Sequence, residues 1–310
     1  MSNEMKSPGH VLVIPPRDFR YNQDTARTNA FPRPSHLDPA AVTVTAQQEF
    51  NLLVETLRSE GISVTILPAR PGIDAPDAVF PNNWLSFHED GSVVLYPMRH
   101  ESRRLEIRRE ILKDLEEHGL TGFHHVHDLT GYIAQEMYLE GTGSLVLDRR
   151  NRIAYASLSE RTSALLVHTW CTLMNYRPVT FSSFDADGFP LYHTNVMMSI
   201  GEHLAIICAE SITDESERAA ILHQLQSTGH RIIEISIEQM NMFAGNVLEL
   251  CSSSGERLLF MSARALASLR KEQVTAISRT NRIVAVPVDV IEYVGGGSIR
   301  CMMAEVVDDN

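Results

Sequence analysis

Apolar residues recur at three- and four-residue spacing in five stretches, Ala46–Glu60, Glu101–His118, Glu160–Met174, Asp214–Gly229 and Ser262–Glu272. That is the period of a helix with one buried face. Each stretch is followed by a short β-branched run: Ser63–Leu67, Gly122–His127, Val179–Ser183, Arg231–Ile235 and Arg282–Val286. More strand-like runs lie between them, at Ser92–Tyr96, Ser144–Leu147, His203–Cys208, Val247–Leu250 and Arg257–Met261. Several of these are set off by turn residues such as Glu89–Gly91 and Ser252–Gly255. The repeating unit is strand, strand, helix, strand, and its spacing of roughly 40 to 60 residues belongs to radial or stacked repetition. The pattern predicts an α/β fold of five ββαβ blades, closed into a single domain spanning residues 1–310. A two-layer α/β sandwich remains the alternative on pattern alone. Pro32–Pro39 reads as a surface loop rather than a linker, and Val306–Asn310 as a polar tail.

Composition narrows the partners. With 39 acidic residues against 27 Lys and Arg, the net charge of -12 excludes a basic face for phosphate, so a small molecule is expected and nucleic acid is not. The longest apolar runs, such as Leu204–Ala209, fall far short of a membrane span, and Met1–Gly9 lacks the apolar core of a signal peptide. A cytoplasmic protein without membrane association is expected, and a homodimer is compatible with the sequence. Cys171, Cys208, Cys251 and Cys301 offer no paired spacing for zinc or a disulfide framework. Cys171 and Cys208 sit among apolar neighbours and read as packing residues.

Three places remain that can carry chemistry. Gly295–Gly296–Gly297 leads into Cys301, and such a turn lets backbone approach a ligand closely beside a thiol; no Lys-Ser or Lys-Thr follows to make it a phosphate loop. His193 opens what reads as an apolar strand, Tyr192–Met198, where it can serve a nucleophile as base or acid. Glu140 precedes Gly141–Thr142–Gly143, where a carboxylate can orient a histidine, although an acidic turn explains it equally well. His124, His125 and His127 do not make a metal site, because strand alternation splits them between faces. Arg99–Arg109 reads as the solvated face of a helix.

The run Asp77–Trp84 (Asp-Ala-Val-Phe-Pro-Asn-Asn-Trp), Leu139–Gly143, Leu158–Thr162, His193 and Gly295–Cys301 resemble, in the same order, motifs of arginine deiminases, dimethylarginine hydrolases and amidinotransferases. The first run is similar to that of the citrulline-utilisation hydrolases. The resemblance implies a five-bladed α/β propeller with its site on the axis, free of metal and organic cofactor. It implies Cys301 as nucleophile, His193 as general acid and base, and Glu140 as the carboxylate paired with His193. It places Phe80, Asn82 and Asn83 in the substrate site, Asp77 at the α-ammonium group, and Arg161 with Arg103 at the α-carboxylate. Arginine deiminases carry aspartate where this chain has Asn83 and Asn195, and dimethylarginine hydrolases keep only the first of those two. Amides in place of carboxylates favour a neutral ureido group over a guanidinium. The expectation is therefore a citrulline hydrolase. An arginine or methylarginine deiminase or amidinotransferase-like enzyme, and a catalytically silent amino-acid-binding module, stand as alternatives.

Overall fold

The computed structural model of the chain describes residues 9–307; the expectations for Met1–Pro8 and Asp308–Asn310 lie outside it. Among the described residues, fifteen strands form five three-stranded sheets. The strands are β1 (His10–Val13), β2 (Ser63–Ile66), β3 (Leu85–Phe87), β4 (Ser92–Leu95), β5 (His125–Asp128), β6 (Val146–Asp148), β7 (Ile153–Ser157) and β8 (Arg177–Phe181). They continue with β9 (Met198–Ile200), β10 (Leu204–Ile207), β11 (Arg231–Glu234), β12 (Leu248–Cys251), β13 (Arg257–Ser262), β14 (Arg282–Val286) and β15 (Ala304–Glu305).

Every sheet follows one rule. Its central strand pairs antiparallel with one neighbour and parallel with the other across a helical crossover, as β4 does with β3 and β5. In four sheets the antiparallel pair is joined by a short connection, and in the first it joins the two ends of the chain. Burial falls from the antiparallel side outward: β3 and β4 are wholly buried, whereas His125 and Asp128 of β5 are exposed. The antiparallel partners β15, β3, β6, β9 and β12 are thus the inner strands, and they touch in succession, β15 with β3, β6 with β9, β9 with β12. The first blade is completed by the last strand, since β15 pairs with β1 through Leu12–Ala304 and Val11–Glu305. The fold is the five-bladed α/β propeller that the repeat pattern predicts.

Helices pack on the blade flanks. Phe50, Leu53 and Leu57 of the helix Pro39–Ser59 fill one cluster with Val11, Val13, Leu250 and Phe260. That helix starts earlier than the periodicity indicates, at Pro39, because the Asp38 carboxylate caps it and proline suits a first turn. Pro39 is therefore helical rather than part of a surface loop.

Two predicted helices are broken. Glu101–His118 divides into Glu101–Arg104 and Ile111–Glu117, the Leu105 and Ile107 carbonyls between them accepting from Arg70 instead of from the helix. Arg103 and Arg108 turn inward and are buried, so this segment is not the solvated face it resembles. Ser262–Glu272 is interrupted after Ser268, whose carbonyl accepts from Gln239, while Gln273 caps the helix Lys271–Ile277. The C-terminal segment also departs from expectation: Val306 is buried and its N–H reaches the His10 carbonyl, so it extends the closing strand. Cys171 and Cys208 are buried among apolar side chains, as expected.

The closing strand is held by charge as well as by backbone pairing. Glu305 accepts from Arg300 at 2.5 Å and lies 3.6 Å from Arg149, with all three side chains at most 15% exposed. Glu305→Ala leaves two nearly buried guanidinium groups unpaired and is expected to cost about 3–5 kcal/mol, lowering the thermal midpoint by about 5–10 °C. Differential scanning calorimetry of the variant checks this; an unchanged midpoint contradicts it.

Candidate active site

The blades converge their loops on one place. Three residues ahead of each inner strand stand Asn82, Gly143, Asn195, Gly245 and Cys301, one from each blade. A shared backbone geometry thus delivers residues far apart in sequence to a common point. His193 and Glu140 lie just upstream in their own blades, each capping a one-turn helix, Thr194–Met197 and Gly141–Ser144. The strand expected over Tyr192–Met198 is that helical turn, and β9 begins only at Met198.

Glu140 accepts from His193 Nε2 at 2.7 Å and sits 3.5 Å from Arg161. Glu140 is fully buried and His193 nearly so. Burial works to raise the Glu140 carboxyl, but the Arg161 guanidinium and the hydrogen bond from His193 outweigh it and hold the group well below the usual carboxylate range. Burial pushes the His193 imidazole down to about 4, against the pull of Glu140. With Nε2 committed to Glu140, Nδ1 is left for proton exchange. Burial likewise pushes the Cys301 thiol above its ordinary value, its hydrogen bond from Asn246 opposing. The resting pair at neutral pH is therefore a thiol and a neutral imidazole.

Cys301 and His193 line one narrow cavity with Asp77, Phe80, Asn83, Arg103, Arg161 and Tyr192. Asp77 is the one carboxylate on its wall among the described residues. Its Oδ2 accepts from Asn22 at 2.8 Å and Thr25 at 3.2 Å, whereas Oδ1 is buried with no partner. A buried acceptor in that state waits for a donor.

The two arginines differ. Arg103 forks onto Glu106 at 2.6 and 2.9 Å and also donates to Phe80 O and Asn83 Oδ1. It orients Asn83, whose amide then donates to Asn82 Oδ1 at 3.0 Å. Arg161 donates to Thr28 and to the Thr25 carbonyl and lies over the Tyr192 ring. It retains two N–H groups for a ligand.

The triple glycine is a tightly packed turn, not a flexible one. A Cβ at Gly295 or Gly297 would come within 2.9 Å of the Phe80 ring, and Gly296 has φ +67°. Ser298 beyond it donates to the buried Glu292 at 2.5 Å and accepts from the Cys301 N–H at 2.9 Å. At Gly143 a Cβ would stand 2.6 Å from Asn83 Nδ2 and 2.7 Å from His193 Nδ1, pressing between the two groups.

Asn82 and Asn195 stand behind the cavity wall. Asn82 donates to Thr142, and Asn195 lies 3.6 Å from Cys301 Sγ. Asn246, which sequence reasoning missed, is nearer still, at 3.2 Å. Its only sequence signal is its place two residues ahead of β12, the place Asn83 holds ahead of β3. Thr25 and Asn29 also line the cavity, from an irregular N-terminal segment that carries no periodic signal. No group of His, Cys, Asp and Glu fit to hold a metal occurs among the described residues.

A family profile described as N,N dimethylarginine dimethylhydrolase, eukaryotic, matches residues 15–308. The chain belongs to this family. That family of guanidino-group hydrolases lies in the guanidino-modifying superfamily whose motifs the sequence resembles. No curated protein matches it by sequence. Among solved structures, the substrate-bound N-terminal domain of ArgZ, an arginine dihydrolase from the ornithine–ammonia cycle in cyanobacteria, has a TM-score of 0.72 at 16% identity, over 96% of this chain and 98% of that one. Unliganded AgrE scores 0.74 at 18% identity over 96% of this chain, which spans only 39% of AgrE. A dimethylarginine dimethylaminohydrolase adduct with S-methyl-L-thiocitrulline scores 0.63 at 17% identity, over 97% of this chain and 99% of that one. At these identities the structures establish the shared fold.

Two outcomes follow from the geometry. Gly143→Ala displaces Asn83 or His193 and is expected to lower kcat by about 100-fold with little change in thermal midpoint; near-normal kcat contradicts it. The acid limb of kcat/KM is expected near pH 4, activity rising as His193 Nδ1 loses its proton, since burial favours the neutral ring. A limb near 6.5, the value of a solvated imidazole, contradicts it.

Proposed function

We propose that residues 1–310 form one catalytic domain that hydrolyses the ureido group of citrulline to ornithine, ammonia and carbon dioxide. The observation that carries this is the chemistry around the reacting sulfur: the side chains that reach Cys301 are the carboxamides of Asn195 and Asn246, and a third carboxamide, Asn83, lines the cavity with Cys301 and His193. The cavity's carboxylate, Asp77, stands apart with one unpaired oxygen. Carboxamides both donate to a ureido oxygen and accept from its NH2, whereas a guanidinium has no acceptor and calls for carboxylates. Asp77 Oδ1 takes the α-ammonium group and Arg161 the α-carboxylate. Arg103, whose donors are largely engaged, orients Asn83 instead.

In the first half-reaction the Cys301 S–H proton passes to His193 Nδ1 and the sulfur attacks the ureido carbon. The tetrahedral adduct collapses as the bond to the ornithine nitrogen breaks and His193 returns the proton to that nitrogen. Cys301 is left as a thiocarbamate. His193 then takes a proton from water, the hydroxide displaces the sulfur, and the thiol is restored. The carbamic acid released decays to ammonia and carbon dioxide. Glu140 holds the imidazole and balances the charge it acquires in each transfer.

Arginine or a methylarginine is a second reading, favoured by the family description and by relatives described as an arginine dihydrolase and as bound to L-arginine. An assay of citrulline, arginine, agmatine and dimethylarginine separates the two. Ornithine formed from citrulline, and lost by several orders of magnitude in Cys301→Ala, is the expected result. Asn83→Asp with Asn195→Asp is expected to weaken citrulline turnover and raise arginine affinity by about ten- to 100-fold, after desolvation is discounted. Turnover of arginine with citrulline untouched contradicts the proposal.

A further inference from the structure

On the reading of Cys301 as nucleophile, we infer that Asn246 is a catalytic residue that stabilises the Cys301 thiolate by direct N–H donation to sulfur. Asn246 is fully buried and every polar atom of its carboxamide has a partner. Oδ1 accepts from the Arg300 N–H at 3.1 Å. Nδ2 donates one hydrogen to the Asn195 carbonyl at 3.0 Å and the other to Cys301 Sγ at 3.2 Å.

These contacts fix the amide's orientation. A flip would set its oxygen against the Asn195 carbonyl and its nitrogen against the Arg300 N–H, two repulsive contacts in a buried site. The donor is therefore held toward the sulfur whatever the protonation state of the thiol. Asn246 enters from the blade between those of Asn195 and Cys301, and at Gly245 before it a Cβ would stand only 2.5 Å from the Val196 carbonyl oxygen, so the two backbones pack too closely for any side chain. The backbone is thus pressed close enough for the short carboxamide to reach the axis.

The reaction has need of such a donor. When the Cys301 proton moves to His193 Nδ1, the sulfur becomes an anion in a buried cavity, and the imidazolium formed is already engaged by Glu140. Arg161 is likewise paired to Glu140, and Arg103 to Glu106. A neutral ureido substrate brings no positive charge of its own. The Ser298 backbone and the Arg300 charge also favour the thiolate, but the side chains that donate directly to the sulfur are two carboxamides, and Asn246 makes a shorter bond than Asn195 does at 3.6 Å. As the carbon–sulfur bond forms, the same N–H relaxes its hold, so the donor favours the proton transfer and the later departure of sulfur from the thiocarbamate.

The test is the pH dependence of Cys301 alkylation by iodoacetamide in the substrate-free protein, read by mass spectrometry of the Cys301 peptide so that Cys251 does not interfere. Asn246→Ala is expected to raise the alkylation midpoint by about one pH unit, the loss of one hydrogen bond to a charged acceptor. Asn246→Asp keeps an acceptor for Arg300 but sets a carboxylate beside the sulfur, and is expected to raise it further. Both should lower kcat for the first half-reaction by about tenfold or more.

A midpoint unmoved or lowered in folded variants, even with kcat reduced, overturns the inference and leaves Asn246 a structural clamp. If the alanine variant does not fold, Asn246→Ser, with a shorter and weaker donor, serves in its place under the same criterion. Cys301→Ser keeps the two proposals separable. Retained turnover in that variant removes the nucleophile and the function with it; a dead Cys301→Ser with an unmoved midpoint in the Asn246 variants removes only the role of Asn246.

Discussion

The antiparallel pairing of the last strand with the first is the constraint on which the rest depends. Ala304 and Glu305 complete the blade begun by Leu12 and Val11, and this closes the ring without an open seam. Because each inner strand then starts at the axis, a residue three positions before it must arrive there too. Cys301 reaches the site for that reason, as do Asn195 from β9 and Gly143 from β6. The Arg300–Glu305 and Arg149–Glu305 pairs fasten the same closing strand, so Arg300, the neighbour of Cys301, also helps hold the ring shut.

Charge in the cavity is mostly spent internally. Glu140 engages His193 and Arg161, Glu106 engages Arg103, and Asn22 and Thr25 take one oxygen of Asp77. What remains for a ligand is specific: one carboxylate oxygen on Asp77, two N–H groups on Arg161, and free amide protons. An unpaired acceptor and the two remaining N–H groups of Arg161 along one cavity fit a zwitterionic amino acid, with the thiol and imidazole beyond them. On the proposed reading, binding energy drawn from those distant charged groups positions the unreactive ureido carbon against sulfur.

The sequence made the outer architecture legible because helices and parallel strands are long enough to show a period. Arg231–Glu234 and Arg282–Val286 fall within the β-branched runs. The inner strands were legible only in part: β12 falls largely in the run Val247–Leu250 and β6 partly in Ser144–Leu147, whereas β3 and β9, with three residues each, and β15, with two, are shorter than any alternation can reveal. Cys301, His193 and Glu140 were found through motif order, and the structure brings them into one place. Arg103 was misjudged from charge patterning, since a buried guanidinium with Glu106 at its fork looks the same in sequence as a solvated helix face. Asn246 carries no local mark at all. Its position becomes meaningful only when the inner strands are aligned by blade, and that alignment needs the strand starts.

The prevalence of carboxamides around Cys301 can be weighed against the alternative of relying on the substrate's charge. A guanidinium about 4 Å from a thiolate contributes roughly 4 kcal/mol at an effective dielectric near 20, and a site built for it can leave its thiol otherwise bare. A ureido group supplies none of this. Hydrogen bonds to a charged group contribute about 1.5–3 kcal/mol each, so two amide donors, from Asn195 and Asn246, together supply a stabilisation of the same size. Fixed behind the cavity wall, they act without regard to the substrate's charge, and they avoid the buried carboxylates that would oppose the forming thiolate. On the proposed citrulline reading, the residues that remove the need for a substrate cation also make the site competent for a neutral group. On this view the exchange of carboxylate for amide alters recognition and nucleophile activation together, because both draw on the same few ångströms of field around the sulfur.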